Sequence, residues 1–114
     1  MPTKMIDPDT AVATRLFMER VIRQFDVSGG VLFGSRARHT HQHDSDADVA
    51  VFLRGEHFRY LPTKLAMADL AFDVLLETGI RVQPLPIWED EWAHPENYSN
   101  PNLLRNIAAE GIPL

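Results

Sequence analysis

One stretch of this chain constrains its fold more than any other. Five consecutive apolar residues, Val49-Ala50-Val51-Phe52-Leu53, directly follow Ser45-Asp46-Ala47-Asp48. A continuous apolar run, rather than an alternation with polar residues, predicts a strand that is covered on both faces and lies centrally in its sheet. Side chains two apart on a strand share a face, so we expect Asp46 and Asp48 side by side where this strand begins.

The flanking segments alternate between helical and strand-like patterns. We predict a small mixed sheet of about three strands with flanking helices, that is, an α/β (α+β) fold. Gly29-Gly30 indicates a bulge or a close backbone approach in the first strand, and Pro84 with Pro86 indicates that the third strand is an edge strand or ends early. The predicted elements are a helix capped by Asp9 or Thr10, strands over 27–33 and 80–87, a helix over 61–77, and a last helix capped by Ser99 or Asn100.

The helix over 61–77 carries an apolar stripe that we expect to face the core. Three residues of the last helix, Leu103, Leu104 and Ile107, are expected to face the core as well. The stripe of the earlier helix consists of Leu65, Ala68, Leu70, Ala71, Leu75 and Leu76.

Composition narrows the class of protein. The 114 residues, of which 45% are hydrophobic, suit one domain over 1–114 with one core. The net charge of -5 disfavours strong direct nucleic-acid binding, and the absence of Cys excludes disulfides and thiolate chemistry. With no apolar leader and no apolar run of the roughly 20 residues that span a membrane, we expect a soluble cytoplasmic protein.

The segment Gly34-Ser35-Arg36-Ala37-Arg38 predicts a turn that can hold phosphate. Gly34 permits a positive φ and a close backbone approach. Ser35 can donate its hydroxyl and N–H groups, and a short helix after the turn would direct its positive end at the anion. Arg36 or Arg38 could neutralise a triphosphate. The alternative is an ordinary Gly-Ser turn with surface arginines.

The Asp pair predicts a metal site. Two neighbouring carboxylates repel each other unless a cation lies between them, and Mg²⁺ is usually held by one or two carboxylates together with substrate phosphates. Two such ions, roughly 4 Å apart, can clamp the attacking and leaving oxygens of a phosphoryl or nucleotidyl transfer. Alternatively, Asp46 and Asp48 are ordinary solvated acids at the start of a strand.

Two further clusters are weaker candidates. His39, His41 and His43 alternate in a polar loop and could ligate a transition metal, although a solvated loop explains them as well. Trp88 and Trp92 lie four apart in an acidic segment, where core packing or a partner contact is favoured over base stacking.

The two-part motif Gly34-Ser35-Arg36-Ala37-Arg38 and Ser45-Asp46-Ala47-Asp48 resembles the signature of the minimal nucleotidyltransferases of the DNA polymerase beta superfamily. The resemblance implies the polymerase-beta-like core, with Gly34 and Ser35 on a nucleoside triphosphate and Asp46 and Asp48 on Mg²⁺. It implies transfer of a nucleoside monophosphate, commonly AMP from ATP, to a hydroxyl acceptor. Many such proteins are antitoxins of a HEPN toxin, a helical ribonuclease, which is the implied partner.

The chain departs from the family pattern at the third carboxylate. We align Gln83, in the third predicted strand, with that acid, and the nearest acids along the chain are Glu77 and Glu89. A Gln amide cannot act as a general base. Two functions therefore remain open from the sequence: a Mg²⁺-dependent nucleotidyltransferase, or a catalytically silent domain of this fold that binds nucleotide or a partner.

Overall fold

The computed structural model describes residues 5–114 of the chain. Helices and strands alternate along it, and a 3₁₀ turn, Pro95–Asn97, joins the last two helices. In chain order the elements are α1 (Pro8–Gln24), β1 (Val27–Phe33), α2 (Ser35–Arg38), β2 (Ala47–Leu53), α3 (Tyr60–Thr78), β3 (Val82–Trp88), α4 (Glu89–Ala93), α5 (Pro101–Glu110) and β4 (Ile112–Pro113).

The strands form one mixed sheet in the order β3-β2-β1-β4. β2 pairs antiparallel with β1 and parallel with β3, so the apolar run lies centrally as predicted. β3 is an edge strand, which accommodates the missing N–H groups of Pro84 and Pro86. The two-residue strand β4 pairs with β1 and adds a short fourth strand to the three that we predicted.

The glycines of β1 explain how this strand fits under α1. The register between β1 and β2 shifts between Val27 and Gly29, which is a bulge. A Cβ at Gly30 would lie 2.6 Å from the terminal methyl of Met18 on α1. The prediction of a bulge or a close approach is therefore confirmed in both senses.

Apolar side chains cover both faces of the sheet, as the continuous run in β2 predicts. On one face α1 and α3 pack through Phe17, Val21, Met67 and Val74 against Val49 and Val51. On the other face, Leu104 and Ile107 of α5 pack against Ala50 and Ile87. The inward orientation of Leu104 and Ile107 is thus confirmed, and Leu103 is partly buried beside them.

The cap of α1 corrects one prediction. Asp7, rather than Asp9 or Thr10, caps this helix, because the Thr10 N–H and hydroxyl donate hydrogen bonds to the Asp7 carboxylate at 3.1 and 2.7 Å. Pro8 then occupies the first helical position, where its missing N–H has no consequence. Asn100 caps α5 as predicted, since its Oδ1 accepts a hydrogen bond from the Leu103 N–H at 3.3 Å.

The predicted inner stripe of α3 is partly wrong. Ala71 is buried and Leu70 and Leu75 are half-buried, whereas Leu65, Ala68 and Leu76 are exposed. Met67 and Val74, which the predicted stripe omits, face the core together with Ala71. This helix is apolar on two sides, and only one of them packs on the sheet.

Candidate active site at the start of strand β2

The two carboxylates lie where the central strand begins, on the face of the sheet that carries α5. Asp48 shares this face with Ala50 because side chains alternate along a strand. Asp46 precedes the strand by one residue and lies close enough to Asp48 to affect its ionisation. Both side chains are half-buried and reach the surface. The structure therefore brings the predicted pair together.

Two features of the site disfavour the ionised form of Asp48. Burial raises the pKa of this carboxyl, the negative charge of Asp46 raises it further, and Arg38 lowers it by less. Bringing both carboxylates to the ionised state therefore costs free energy in the folded chain. A cation bound between them would remove that cost, so the charge pattern suits a divalent metal.

Gly34 forms the wall of the site on the β1 side. It follows Phe33, the register partner of Asp48 on β1. Its φ of 75° and ψ of −157° lie in a region that only glycine adopts readily. A Cβ at this position would overlap Asp48 Oδ2, so the glycine backbone lies directly against the carboxylate. The predicted close approach at Gly34 is thus explained by Asp48 itself.

Gln83 forms the opposite wall. It is the register partner of Asp48 in the parallel β2–β3 pair, and parallel neighbours point to the same face of a sheet. Its side chain is exposed. The amide therefore stands beside the Asp pair, at the position where we aligned the third carboxylate of the resembling family.

The two other acids considered for that role lie elsewhere. Glu77 pairs with Arg20 of α1, which packs on the opposite face of the sheet. Glu89 accepts a hydrogen bond from the Gly55 N–H at 3.4 Å, just beyond the far end of β2. Five strand residues, at about 3.3 Å each, follow Asp48 before that end. Neither acid compensates for Gln83.

The turn after β1 continues into the single-turn helix α2. The Gly34 carbonyl accepts hydrogen bonds from the Ala37 and Arg38 N–H groups, both at 3.1 Å. Within residues 5–114, the Ser35 hydroxyl and N–H make no hydrogen bond, so both remain available to a ligand. Arg38 is exposed, and its guanidinium contacts Glu110 of α5 at 3.0 Å.

Arg36 does not lie where a triphosphate contact requires it. Only 2% of this residue is exposed. Its Nε and Nη2 donate hydrogen bonds to the carbonyls of Ser45 at 2.9 Å and His43 at 3.0 Å. Its Nη1 donates to the Thr10 hydroxyl at 2.8 Å. We therefore correct its assignment: Arg36 holds the loop that leads into Asp46, a role for which the sequence pattern offers no signal.

The three histidines of the loop contact different groups and do not converge on one metal site. His39 Nε2 lies 2.6 Å from the Met5 carbonyl, and His41 Nε2 lies 3.4 Å from Asp7 Oδ1. His43 is exposed and contributes its backbone carbonyl to Arg36. In the described residues, no three His, Asp or Glu side chains form a group that could hold a metal ion. The loop thus joins α1 to the site entrance.

The two tryptophans differ in environment. Trp88 ends β3 and is 5% exposed, within the core beneath α1 and α3. Trp92 is half-buried, with its ring centroid 4.8 Å from that of Phe52. Core packing, one of the two predicted roles, is therefore the role of Trp88, and this segment does not present a pair of exposed aromatic side chains.

Comparison with known proteins decides the family. A sequence profile described as polymerase beta, nucleotidyltransferase, matches residues 18–83, which is more than half of the chain and spans the turn, the Asp pair and Gln83. The chain belongs to the polymerase beta nucleotidyltransferase family. Gly34, Ser35, Asp46 and Asp48 all lie within the segment that matches this family.

The fold of this polymerase-beta-type domain has a solved counterpart. A crystal structure of a "putative nucleotidyltransferase" from Sulfolobus solfataricus aligns with a TM-score of 0.53 and 21% identity, covering 79% of each chain. At this identity the likeness shows the fold alone. Among curated proteins no relative matches. In the described residues, no helix is long and apolar enough to cross a membrane.

Proposed function

We propose that this domain is a Mg²⁺-dependent nucleotidyltransferase that transfers a nucleoside monophosphate, AMP from ATP in the first instance, to a hydroxyl group of a protein or other acceptor. The observation that carries the proposal is the position of Asp48. This carboxylate is half-buried beside Asp46, lies against the backbone of Gly34, and falls within the segment that matches the nucleotidyltransferase family.

The donor set fits a hard divalent cation. Asp46 and Asp48 offer carboxylate oxygens, the ligands that Mg²⁺ prefers, and two carboxylates leave coordination positions for phosphate oxygens and water. The raised pKa of Asp48 records that burial and the charge of Asp46 disfavour its ionised form without a cation. When bound, Mg²⁺ would neutralise charge on the triphosphate and on the leaving pyrophosphate.

The remaining motif residues would bind and orient the triphosphate. Gly34 lets the turn after β1 lie against Asp48, so a phosphate bound at the turn would lie close to this carboxylate. The free hydroxyl and N–H of Ser35 are donors for phosphate oxygens. Arg38 adds a charge at the rim, in competition with Glu110, whereas Arg36 keeps Asp46 in place through the Ser45 carbonyl.

The chemistry lacks an evident proton acceptor. In the proposed transfer, an acceptor oxygen bonds to the α-phosphorus and the bond from that phosphorus to the pyrophosphate oxygen breaks. The hydroxyl proton must leave as well, and the Gln83 amide beside Asp48 cannot take it at neutral pH. We therefore expect slow transfer in the parent protein.

The position of Gln83 favours a second candidate function. A domain with two carboxylates and an amide would still bind a metal-nucleotide. It could bind a partner protein without catalysing any transfer. The helical HEPN-type toxin implied by the resemblance is the partner that we propose for this case. Its need for a nucleic-acid-binding surface suits a chain of net charge -5.

Labelled ATP distinguishes the two candidates. The parent and the variants Gln83→Asp and Gln83→Glu are incubated with Mg²⁺ and radiolabelled ATP, with Gln83→Ala as the matched control. If the domain is a nucleotidyltransferase, the parent itself transfers label, and an acid placed beside Asp48 raises the transfer whereas Gln83→Ala does not. If the parent binds Mg²⁺-ATP yet transfers no label, the silent module is its function.

A further inference from the structure

Helix α3 leaves four large apolar side chains in solvent. Leu61, Leu65, Phe72 and Leu76 are 61%, 58%, 58% and 70% exposed. The opposite side of the same helix packs into the core. Contiguous apolar surface of this kind is uncommon on a monomer and marks a contact surface.

Four exposed residues of α3 and the half-buried Leu75 follow a regular spacing. Leu61, Leu65, Ala68, Phe72 and Leu75 are separated alternately by four and three residues, which is the heptad spacing of a helix that packs lengthwise against another helix. We name these five residues the α3 seam. Ala68 lies between Leu65 and Phe72, so a small position alternates with large ones. The spacing therefore predicts that a helix covers the seam.

The charged residues beside the α3 seam indicate which helix covers it. In the heptad, Lys64 and Asp69 flank the seam on opposite sides and lie five residues apart. This is the offset at which a residue of one helix faces a residue of a parallel neighbour across the seam. Within the described residues, Asp69 makes no ion pair. Lys64 makes no ion pair in this part of the chain either, and its ammonium lies 5.9 Å from the centroid of the Tyr60 ring.

We propose that the α3 seam joins two copies of this chain, with their α3 helices parallel. Lys64 of each copy then faces Asp69 of the other, which gives two symmetric ion pairs at the edges of an apolar contact. An antiparallel pair centred on Ala68 would instead place the two Asp69 carboxylates against each other. The self-complementary charges favour a second copy in parallel over an unrelated helix.

The α3 seam and the Asp pair lie on different faces of the sheet, although Ala68, Phe72 and Leu75 line one groove with Gln83 at the edge strand β3. α3 packs on the face of the sheet that carries Val49 and Val51, whereas Asp46 and Asp48 lie on the face that carries α5. The formation of this dimer can be measured without any nucleotide. The inference is thus independent of the proposed transfer reaction.

Light scattering on the eluting protein tests the dimer. The parent should elute with the mass of two chains at high micromolar concentration, and Leu65→Ser with Phe72→Ser should elute as a monomer with an unchanged circular dichroism spectrum. Ile22→Ser is the matched control, since Ile22 is 56% exposed on α1. A monomeric parent, or a double variant that remains dimeric, overturns the proposal.

Disulfide capture tests the orientation, because the chain contains no Cys. Leu61→Cys should form a disulfide between two copies on mild oxidation, since a parallel pair places both Leu61 positions together. In an antiparallel pair centred on Ala68 they would be about 21 Å apart, too far for a disulfide. Cross-linking only between Leu61→Cys and Leu75→Cys chains overturns the parallel arrangement.

A charge exchange tests the specific contacts. Lys64→Glu or Asp69→Lys alone should raise the dimer dissociation constant about 3- to 10-fold, because each removes two pairs and creates like-charge contacts. The combined Lys64→Glu and Asp69→Lys variant restores the pairs and should return to the parent value. If the combined variant dimerises as weakly as the effects of the two single changes added together predict, the proposed pairing is contradicted.

Discussion

Asp48 lies so close to the backbone of Gly34 that no side chain fits between them. A Cβ at Gly34 would overlap Asp48 Oδ2, and the backbone angles of this residue are accessible only to glycine. One contact thus joins the turn after β1 to the carboxylate at the start of β2. The two halves of the motif form a single site because of this contact.

Gly34→Ala is expected to destabilise the domain by about 2–4 kcal/mol, because it combines backbone strain with the overlap at Asp48. Gly79→Ala is the control: its φ of 80° is also positive, but a Cβ there meets nothing within 4 Å. We expect it to cost only about 1 kcal/mol. Urea unfolding measures both. The cost of Gly34→Ala should fall in an Asp48→Ala background, and an undiminished cost there would refute the contact.

We expect Arg36 to stabilise the fold and not to neutralise the charge of a bound nucleotide. Arg36→Leu removes the donors to the Ser45 and His43 carbonyls and to the Thr10 hydroxyl, and we expect a loss of about 2–4 kcal/mol in unfolding free energy. Arg38→Gln, at an exposed position two residues later, should change stability by less than about 1 kcal/mol. Guanidinium unfolding of both variants checks this. Equal stability losses would contradict the separate roles given to the two arginines.

Glu110 is expected to compete with the triphosphate for Arg38. Glu110→Gln breaks an exposed ion pair worth about 0–1 kcal/mol and so should raise affinity for Mg²⁺-ATP by about 2- to 3-fold. Arg38→Gln should lower it, and Glu110→Gln should add nothing in that background. Fluorescent-nucleotide titration gives the three dissociation constants. A gain from Glu110→Gln that persists without Arg38 would show that another contact is responsible.

The raised pKa of Asp48 predicts a pH-dependent effect of Asp48→Asn. A carboxyl whose pKa is higher in the folded than in the unfolded chain stabilises the fold below its unfolded pKa of about 3.9, and this contribution is lost as pH rises through the folded value. Asp48→Asn should therefore unfold at higher temperature than the parent at pH 7 without Mg²⁺. The difference should shrink as pH falls toward 4. If the difference in unfolding temperature stays constant or changes sign as pH falls, the raised pKa of Asp48 is not its cause.

Much of this architecture follows from local patterns. The strand over 27–33 and the edge position of β3 agree with the expectations from apolar runs and prolines, because those patterns report the neighbourhood of each residue directly. Asp48 likewise points to the predicted face because side chains alternate along β2, and Asp46 lies beside it one residue before the strand. The same register places Gln83 beside Asp48, as the alignment predicted.

Other features depend on tertiary packing that local patterns do not encode. On α3, the spacing of Met67, Ala71 and Val74 is as helical as that of Leu65 and Phe72, so periodicity cannot tell which side is buried. Helical spacing alone could not identify the exposed seam.

Arg36 and Trp88 show the same limit for single residues. Arg36 could have been a surface charge, because its hydrogen-bond acceptors come from a loop and from a helix 26 residues away. Trp88 could have been an exposed interface residue, yet it ends an edge strand inside the core. In both cases long-range contacts decide the outcome.

Calorimetric titration of ATP with Mg²⁺ into the parent and into the Asp46→Asn, Asp48→Asn double variant tests the central claim most directly. Asp44→Asn is the control, because Asp44 is an exposed acid in the same loop. We expect saturable, Mg²⁺-dependent binding by the parent and by the control, and none by the double variant with its fold intact. No binding by the parent, or unchanged binding by the double variant, would contradict the assignment of Asp46 and Asp48 as the metal-nucleotide site.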